Sequence, residues 1–333
     1  MIPVSVITGF LGSGKTTLLK RLLADPRMGE TAVLVNEFGE VGLDHLLLRK
    51  LDEETILLGS GCLCCTVRSD LVESLAELWA KRASGAIPPF ARATIETTGL
   101  ADPAPILHTL MTDSALTPHF ALGTLVATLD STLGEPELDH HPEAVKQVAM
   151  ADRLVLTKTD RATPDAQARL QTRLDRLNPT APRFPASLDA GPAPDALFDQ
   201  DFSLLGKSPA VRRWLEAEAD PAAAHEHDSH RHDRSVGTFC LTLDRPVDWA
   251  RFIAWLQLLL ASRGEQLLRV KGLLAVAGRP RPLVIQGVQH VFYPPIELPR
   301  WPDADHRSRL VFITRDLSRA AVETSLRRLV EDA

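Results

Sequence analysis

Two hydrophobic textures alternate through the first half of the chain. Short, nearly unbroken apolar runs occur at Val4–Thr8, Ala32–Val35, Ile56–Leu58, Ala93–Ile95, Leu122–Leu129 and Arg153–Leu156. Runs of this length, rich in branched aliphatic residues, predict strands buried on both faces. Between several of them the period changes to that of a helix. The clearest case places Val67, Leu71, Val72, Leu75, Leu78 and Trp79 on one stripe. Such strands alternating with amphipathic helices predict an α/β fold: a mostly parallel sheet with helices on both faces.

Beyond Pro182 this rhythm stops. Pro192, Pro194, Pro209 and Pro221 punctuate the chain, an alanine run follows, and then comes a histidine-rich stretch, His225 to Asp233. The texture is that of a loosely packed connection with one or two short helices, one of them around Val211–Glu218. Regular patterning returns at Ser235. A strand at Val236–Leu243, a helix at Trp249–Leu260, strands near Gln266–Ala277, Pro282–Val291 and Arg309–Ile313, and a closing helix at Ser318–Leu329 predict a smaller α+β domain. The expected partition is therefore 1–184, a connection at 185–234, and 235–333.

Composition narrows the function. The 333 residues are 44% hydrophobic and 24% charged, enough to bury a core in each of two domains. With 37 basic against 43 acidic residues, the net charge of -6 supplies no broad electropositive surface. That argues against nucleic acid and against anionic membrane as partners. No segment is long and apolar enough to span a bilayer, and the stretch Met1–Thr8 lacks the basic start of a secretory signal, so the cytoplasm is the expected compartment. Three of the four cysteines, Cys62, Cys64 and Cys65, fall within four residues. In a reducing compartment such clustering points to metal or redox chemistry rather than to disulfides.

The most specific motif is Gly9-Phe10-Leu11-Gly12-Ser13-Gly14-Lys15-Thr16, which follows a predicted strand and opens a predicted helix at Thr17–Ala24. It fits the phosphate-binding pattern G-x-x-x-x-G-K-[ST] at every required place, and its context is the one the motif demands. Glycines such as Gly12 and Gly14 let backbone N–H groups, that of Ser13 included, turn toward phosphate oxygens at a helix N-terminus. Lys15 can reach the β- and γ-phosphates, the Thr16 hydroxyl can ligate Mg2+, and Thr17 is placed for the α-phosphate. The fold expected is thus that of a P-loop NTPase. Glu96 ends an apolar strand in Ala93-Thr94-Ile95-Glu96-Thr97-Thr98-Gly99, where a carboxylate can hold the magnesium shell or orient an attacking water. Lys15 and Glu96 are the candidate catalytic pair.

Thr157-Lys158-Thr159-Asp160 follows the strand ending at Leu156. An aspartate there can accept two hydrogen bonds from guanine, from N1–H and the exocyclic amine, donors that adenine does not offer. The Lys158 stem can pack along the base. Asparagine is usual where Thr157 stands. A helix-capping aspartate is the ordinary alternative for Asp160. The order of phosphate loop, acidic strand end and T-K-x-D favours GTP.

Cys62, Cys64 and Cys65 can deliver up to three thiolates to one ion, and soft sulfur suits Zn2+ or Cu+. Small buried residues at a strand–helix turn are the structural alternative, and redox use is a third. The loop Glu37–Asp44 follows the second strand, where nucleotide folds carry a segment that reorganises with the γ-phosphate. Glu37 and Glu40 are candidate oxygen ligands there. His225, His227, His230 and His232 can bind metal weakly, or serve only as a hydrophilic link.

Taken together, G-F-L-G-S-G-K-T-T, N-E-F-G-E-V-G-L-D, G-C-L-C-C, E-T-T-G-L-A-D-P, T-K-T-D and the histidine-rich link resemble the CobW-like metal-homeostasis GTPases, relatives of the hydrogenase and urease maturation GTPases. The resemblance implies a GTP-dependent metallochaperone, usually for zinc, with cobalt handling for cobalamin synthesis or nitrile hydratase activation as alternatives. It implies metal at Cys62, Cys64 and Cys65, and delivery to a client metalloprotein, with a nucleotide- or metal-dependent dimer as a further expectation. From other classes, a small-molecule kinase or a non-catalytic metal buffer are the rivals.

Overall fold

The computed structural model describes residues 1–35, 56–59, 67–198 and 236–330. The chain divides into two compact units. The described residues of the first lie in 1–137, 151–168 and 183–198, and those of the second in 138–150, 169–182 and 236–330.

The first unit is built on seven parallel strands: β1 (Ile2–Gly9), β2 (Thr31–Val35), β3 (Ile56–Gly59), β4 (Arg92–Glu96), β5 (Phe120–Asp130), β6 (Arg153–Thr157) and β7 (Arg183–Pro185). Their order across the sheet is β3-β2-β4-β1-β5-β6-β7. The predicted strands are the first six of these, and their lack of polar–apolar alternation has its cause in the packing: β1, β2, β4, β5 and β6 are buried on both sides. On one face lie α1 (Lys15–Leu23) and α7 (Pro194–Phe198). Leu18, Leu19, Leu22 and Leu197 pack there with Ile7, Val33, Val126 and Val155. The other face is covered by α2 (Val67–Ala83) and α3 (Ala104–Thr112), which contact each other. Leu71, Leu75 and Leu78 of α2 are buried, so the apolar stripe read from the sequence faces inward. At its edge Trp79 stacks on His119, with ring centroids 4.2 Å apart.

In this unit β7 was not expected, and α7 was expected only as an unplaced short helix of the connection. β7 is three residues long and ends in Pro185, which cannot donate to a ladder and is tolerated only at an edge strand. α7 has five residues, too few for a helical period to show.

Among the described residues, the remaining helices before the second sheet are α4 (Gly134–His140), α5 (Pro142–Met150) and α6 (Pro164–Leu177). α4 from Leu138 onward, α5 and the part of α6 beyond Ala168 belong with the second unit. That unit holds an antiparallel sheet of β8 (Val236–Leu243), β9 (Leu267–Leu274), β10 (Leu283–Val288), β11 (Val291–Phe292), β12 (Ile296–Glu297) and β13 (Ser308–Arg315). Its path is β11-β10-β9-β13-β8, with β12 on β10. The single strand expected near Pro282–Val291 is divided by a turn in which Gln289 takes φ 48°. Two helices, α8 (Trp249–Arg263) and α9 (Arg319–Val330), bury Phe252, Trp255, Val322 and Leu326 against Leu241, Val270 and Phe312. Asp248 caps α8 by accepting from Arg251 N, and the Trp255 indole donates to Ser325 Oγ at 3.0 Å, which satisfies its one polar atom. α5 lies against β9.

Leu75 is completely buried under the parallel sheet. Leu75→Ala is expected to destabilise the protein by about 2–5 kcal/mol. Chemical denaturation followed by circular dichroism checks this; a loss within experimental error would show that α2 does not contribute to the folded core.

Candidate functional site

In a parallel sheet the carboxyl ends of all strands lie along one edge, so the loops that leave them converge. The register makes this concrete. Ile7 and Val35 both pair with Glu96, Gly9 pairs with Thr128, and Asp130 pairs with Thr157. The phosphate-type loop, the acidic strand end and the T-K-T-D loop are therefore neighbours although they lie far apart in sequence.

The phosphate-type loop is shaped by its glycines and held by hydroxyls. Gly9 takes φ 142°, and a Cβ there would lie 2.4 Å from the Thr128 carbonyl oxygen, so no other residue fits. Gly14, at φ 92°, is the N-cap of α1. Ser13 Oγ and Thr128 Oγ1 are 2.7 Å apart, and Thr157 Oγ1 donates to Ser13 O at 2.7 Å, with Leu129 O at 3.2 Å. Thr157, where asparagine is usual, thus joins the phosphate-type loop to the end of β6 through its hydroxyl. Gly12 and Thr17 are exposed at the loop's outer side, and Ser13 is buried.

Lys15 is buried, and its ammonium donates to Gly9 O at 2.9 Å and Phe10 O at 3.0 Å. The loop's own carbonyls hold the positive charge inside the curve of the backbone. At its mouth Thr16 Oγ1 donates to Glu96 Oε1 at 2.5 Å, and Glu96 is almost wholly buried. Lys15, Thr16 and Glu96 are therefore one cluster. The loop after β4 also closes on the phosphate-type loop: a Cβ on Gly99 would lie 2.6 Å from Leu11 N.

In the T-K-T-D loop, Lys158 adopts φ 54°, a left-handed conformation, and its ammonium pairs with Asp130 Oδ2 at 2.5 Å. Asp160 is exposed, with Arg161 Nε 4.0 Å from its carboxylate. Thr159 donates through both N and Oγ1 to Ala186 O, so the loop after β7 lies alongside. Arg21 of α1 steadies that second loop by donating to Ser187 O and Leu188 O.

Three residues here escaped the sequence reading: Thr128, Asp130 and Glu137. Asp130 is buried, which on its own would raise its pKa, but the Lys158 ammonium and the Thr132 hydroxyl and N–H outweigh burial and hold the carboxyl below its usual range. Glu137, also buried, is pushed up to about 7 by burial and by the nearby Asp130 charge, against the pull of Lys158 and Lys15. The available signal was an apolar strand ending in Asp130, the same pattern that singled out Glu96.

Cys62, Cys64, Cys65, Glu37, Glu40, His225, His227, His230 and His232 lie outside the described residues. Among the described residues there is no cluster of three or more metal-ligating side chains, and no helix is long and apolar enough to cross a membrane.

Parallel strands with a glycine loop at their carboxyl edge, a buried lysine in that loop and a Thr–Glu pair at its mouth define a P-loop NTPase. Residues 3–185 match the CobW/HypB/UreG nucleotide-binding domain, and residues 236–330 match the cobalamin synthesis protein cobW C-terminal domain. The chain belongs to the CobW/HypB/UreG family. It is 33% identical over 312 residues to the zinc chaperone YjiA of Escherichia coli, covering 94% of this chain and 93% of that protein. It is 30% identical over 358 residues to the zinc chaperone CobW of Pseudomonas aeruginosa, covering 98% and 91%. The crystal structure of Zn(II)-bound YjiA GTPase from E. coli superposes with a TM-score of 0.71 at 28% identity, covering 98% of each chain.

Removing the Lys15 ammonium leaves the carbonyls of Gly9 and Phe10 facing the space where phosphates would lie. Lys15→Ala is expected to abolish nucleotide retention, checked by equilibrium dialysis with labelled GTP; retention equal to wild type would contradict the phosphate-site assignment.

Proposed function

We propose that this protein is a GTP-hydrolysing zinc chaperone that couples GTP and Mg2+ binding to the loading or release of Zn2+ at Cys62, Cys64 and Cys65, and passes the ion to a client metalloprotein in the cytoplasm. The observation that carries this reading is the Thr16–Glu96 hydrogen bond at the mouth of a loop that already encloses the Lys15 ammonium. It occurs in a chain that aligns almost end to end with proteins named zinc chaperones.

The residue roles follow from the chemistry. Backbone N–H groups from Gly12 to Thr16 line the start of α1, where the helix dipole favours phosphate. Thr17 lies at the next position. Lys15 can leave the carbonyls of Gly9 and Phe10 for the stronger acceptors of a triphosphate. Thr16 and Glu96 form a hard oxygen set of the kind that suits Mg2+, and they are the residues that would hold it. A magnesium ion held by them would supply charge neutralisation to the bound phosphates. Asp160 accepts from guanine N1–H and the exocyclic amine, Lys158 flanks the base, and Thr157 fixes the loop that carries both.

Zinc is the cargo. Thiolates at Cys62, Cys64 and Cys65 match its preference for soft ligands, with Glu37, Glu40 and the histidines His225, His227, His230 and His232 as further donors. Dimerisation in response to nucleotide or metal belongs to the same reading.

If GTP changes zinc affinity, zinc must change GTP affinity by the same factor. Zinc affinity, measured by competition with a chelating dye, is expected to differ by about 5–150-fold with and without a nonhydrolysable GTP analogue. Equal affinities would reject the coupling, and a stronger response to Co2+ than to Zn2+ would reassign the cargo. Asp160→Asn replaces an acceptor with a group that also donates, and it is expected to lose GTP binding and to gain binding of the xanthine analogue, which bears a carbonyl where guanine bears an amine. Unchanged preference for GTP over the xanthine nucleotide would remove Asp160 from the base site.

A further inference from the structure

Two buried acidic side chains, Asp130 and Glu137, lie outside the motifs that carry the proposed activity. Asp130 ends β5, buried, with Thr157 as its register partner. Both of its oxygens are engaged. Oδ2 takes the Lys158 ammonium, and Oδ1 takes Thr132 N at 2.7 Å and the Thr132 hydroxyl at 2.6 Å. Thr132 thereby fixes the carboxylate, and the carboxylate fixes the end of a side chain that would otherwise turn freely about four carbon–carbon bonds. Lys158 is held at both ends, by Asp130 at the ammonium and by its left-handed backbone. About a third of its side chain (34%) stays exposed, so the stem still presents an apolar surface outward.

Glu137, on α4, is the second acid. It is buried, and its Oε2 has no hydrogen-bond partner among the described residues. The charges that act on it come from three other elements: Asp130 at the end of β5, Lys158 after β6 and Lys15 at the start of α1. Its own helix carries Glu135, Asp139 and His140. Glu137 is thus electrostatically linked both to the lysine of the phosphate-type loop and to the lysine of the T-K-T-D loop.

We propose that Asp130 is a positioning residue for the nucleotide base, acting through Lys158, and that Glu137 beside it makes nucleotide affinity depend on its own protonation. The inference rests on the reading that the Thr157–Asp160 loop holds guanine. Asp130 pins the Lys158 ammonium, so the lysine stem is already tethered when a base arrives and less rotamer freedom is lost on binding. Glu137 adds the pH term. Burial and Asp130 oppose its ionisation, while Lys158 and Lys15 favour it, and its carboxyl sits at about 7. A triphosphate engages the Lys15 ammonium and brings several negative charges of its own, so it disfavours the ionised carboxylate. Nucleotide binding therefore draws a proton onto Glu137, and by linkage affinity is highest below neutrality and falls as pH rises through that value.

The test uses the full chain and a fluorescent GDP, titrated from about pH 6 to about pH 8 across the neutral range in which the carboxyl changes charge. Asp130→Asn is expected to weaken binding by about ten- to a hundredfold, the loss typical of a hydrogen bond to a charged group. In the Glu137→Gln background, which removes the carboxyl that Asp130 also acts on, adding Asp130→Asn to Lys158→Met is expected to weaken binding no further than Lys158→Met alone, because Asp130 reaches the base through that lysine. Unchanged affinity in Asp130→Asn, or losses that add in that background, would overturn the positioning role. Glu137→Gln, a neutral mimic of the protonated acid, is expected to flatten the pH dependence; a slope equal to wild type would overturn the role given to Glu137. Asp160→Asn separates the two levels: if it too leaves GDP binding intact, the guanine reading itself falls, whereas loss there with none in Asp130→Asn overturns this inference alone. Should Asp130→Asn fail to melt cooperatively, Asp130→Glu, which keeps the charge but shifts it by a methylene, takes its place in the same cycle with the same expected non-additivity.

Discussion

A loop that turns through three glycines at positive φ cannot hold its own shape, and this constraint organises the first unit. Gly9, Gly12 and Gly14 all take positive φ there, and glycine gives the backbone no stiffness of its own. The loop's form is imposed from outside, by Thr128 on β5 and Thr157 on β6, whose hydroxyls meet Ser13 from the neighbouring strands. Those two threonines are in place only because β1, β5 and β6 run parallel in adjacent positions and end at the same edge. The buried apolar faces of the sheet thus serve the site indirectly. They fix the strand register, the register fixes the hydroxyls, and the hydroxyls fix the loop.

The same edge sorts charge. Lys15 is held by backbone carbonyls and Lys158 by a carboxylate, so the two cations are restrained by partners of very different strength. A carbonyl is readily exchanged for a phosphate oxygen, while a buried charge pair is costly to break. In the function proposed, the lysine that moves has the weaker attachment, and the one that stays has the stronger. Glu96 and Asp130, the carboxylates that end β4 and β5, divide in the same way: one faces the hydroxyl of Thr16, the other a cation.

Much of this was legible in the sequence, and the limits are physical. Strands buried on both faces leave continuous apolar runs, so β1, β2, β4, β5 and β6 could be placed to within a few residues. The phosphate-type loop stood out because glycine, lysine and threonine at that fixed spacing suit the gripping of phosphate and little else. β7 escaped, and α7 could not be placed within the connection, because three and five residues are too short to carry a period. Asp130 and Glu137 escaped for another reason: what singles them out is burial beside lysines distant in sequence, and that is set by the alignment of strand ends. Thr157 looked like a departure from a motif. Its hydrogen bond to Ser13 shows a residue tying two loops together, a task that residue type alone does not reveal.

The backbone of Lys158 has one more consequence. A side-chain-bearing residue in the left-handed region costs about 1–2 kcal/mol, a penalty that glycine avoids. The turn after β6 would thus close more comfortably with no side chain at that point, and the fold tolerates the discomfort for the sake of an ammonium anchored there. Sequences drifting toward greater thermal robustness would be drawn to glycine at this position and would forfeit the anchored cation, so durability and the role proposed for that cation pull in opposite directions at a single pair of dihedral angles.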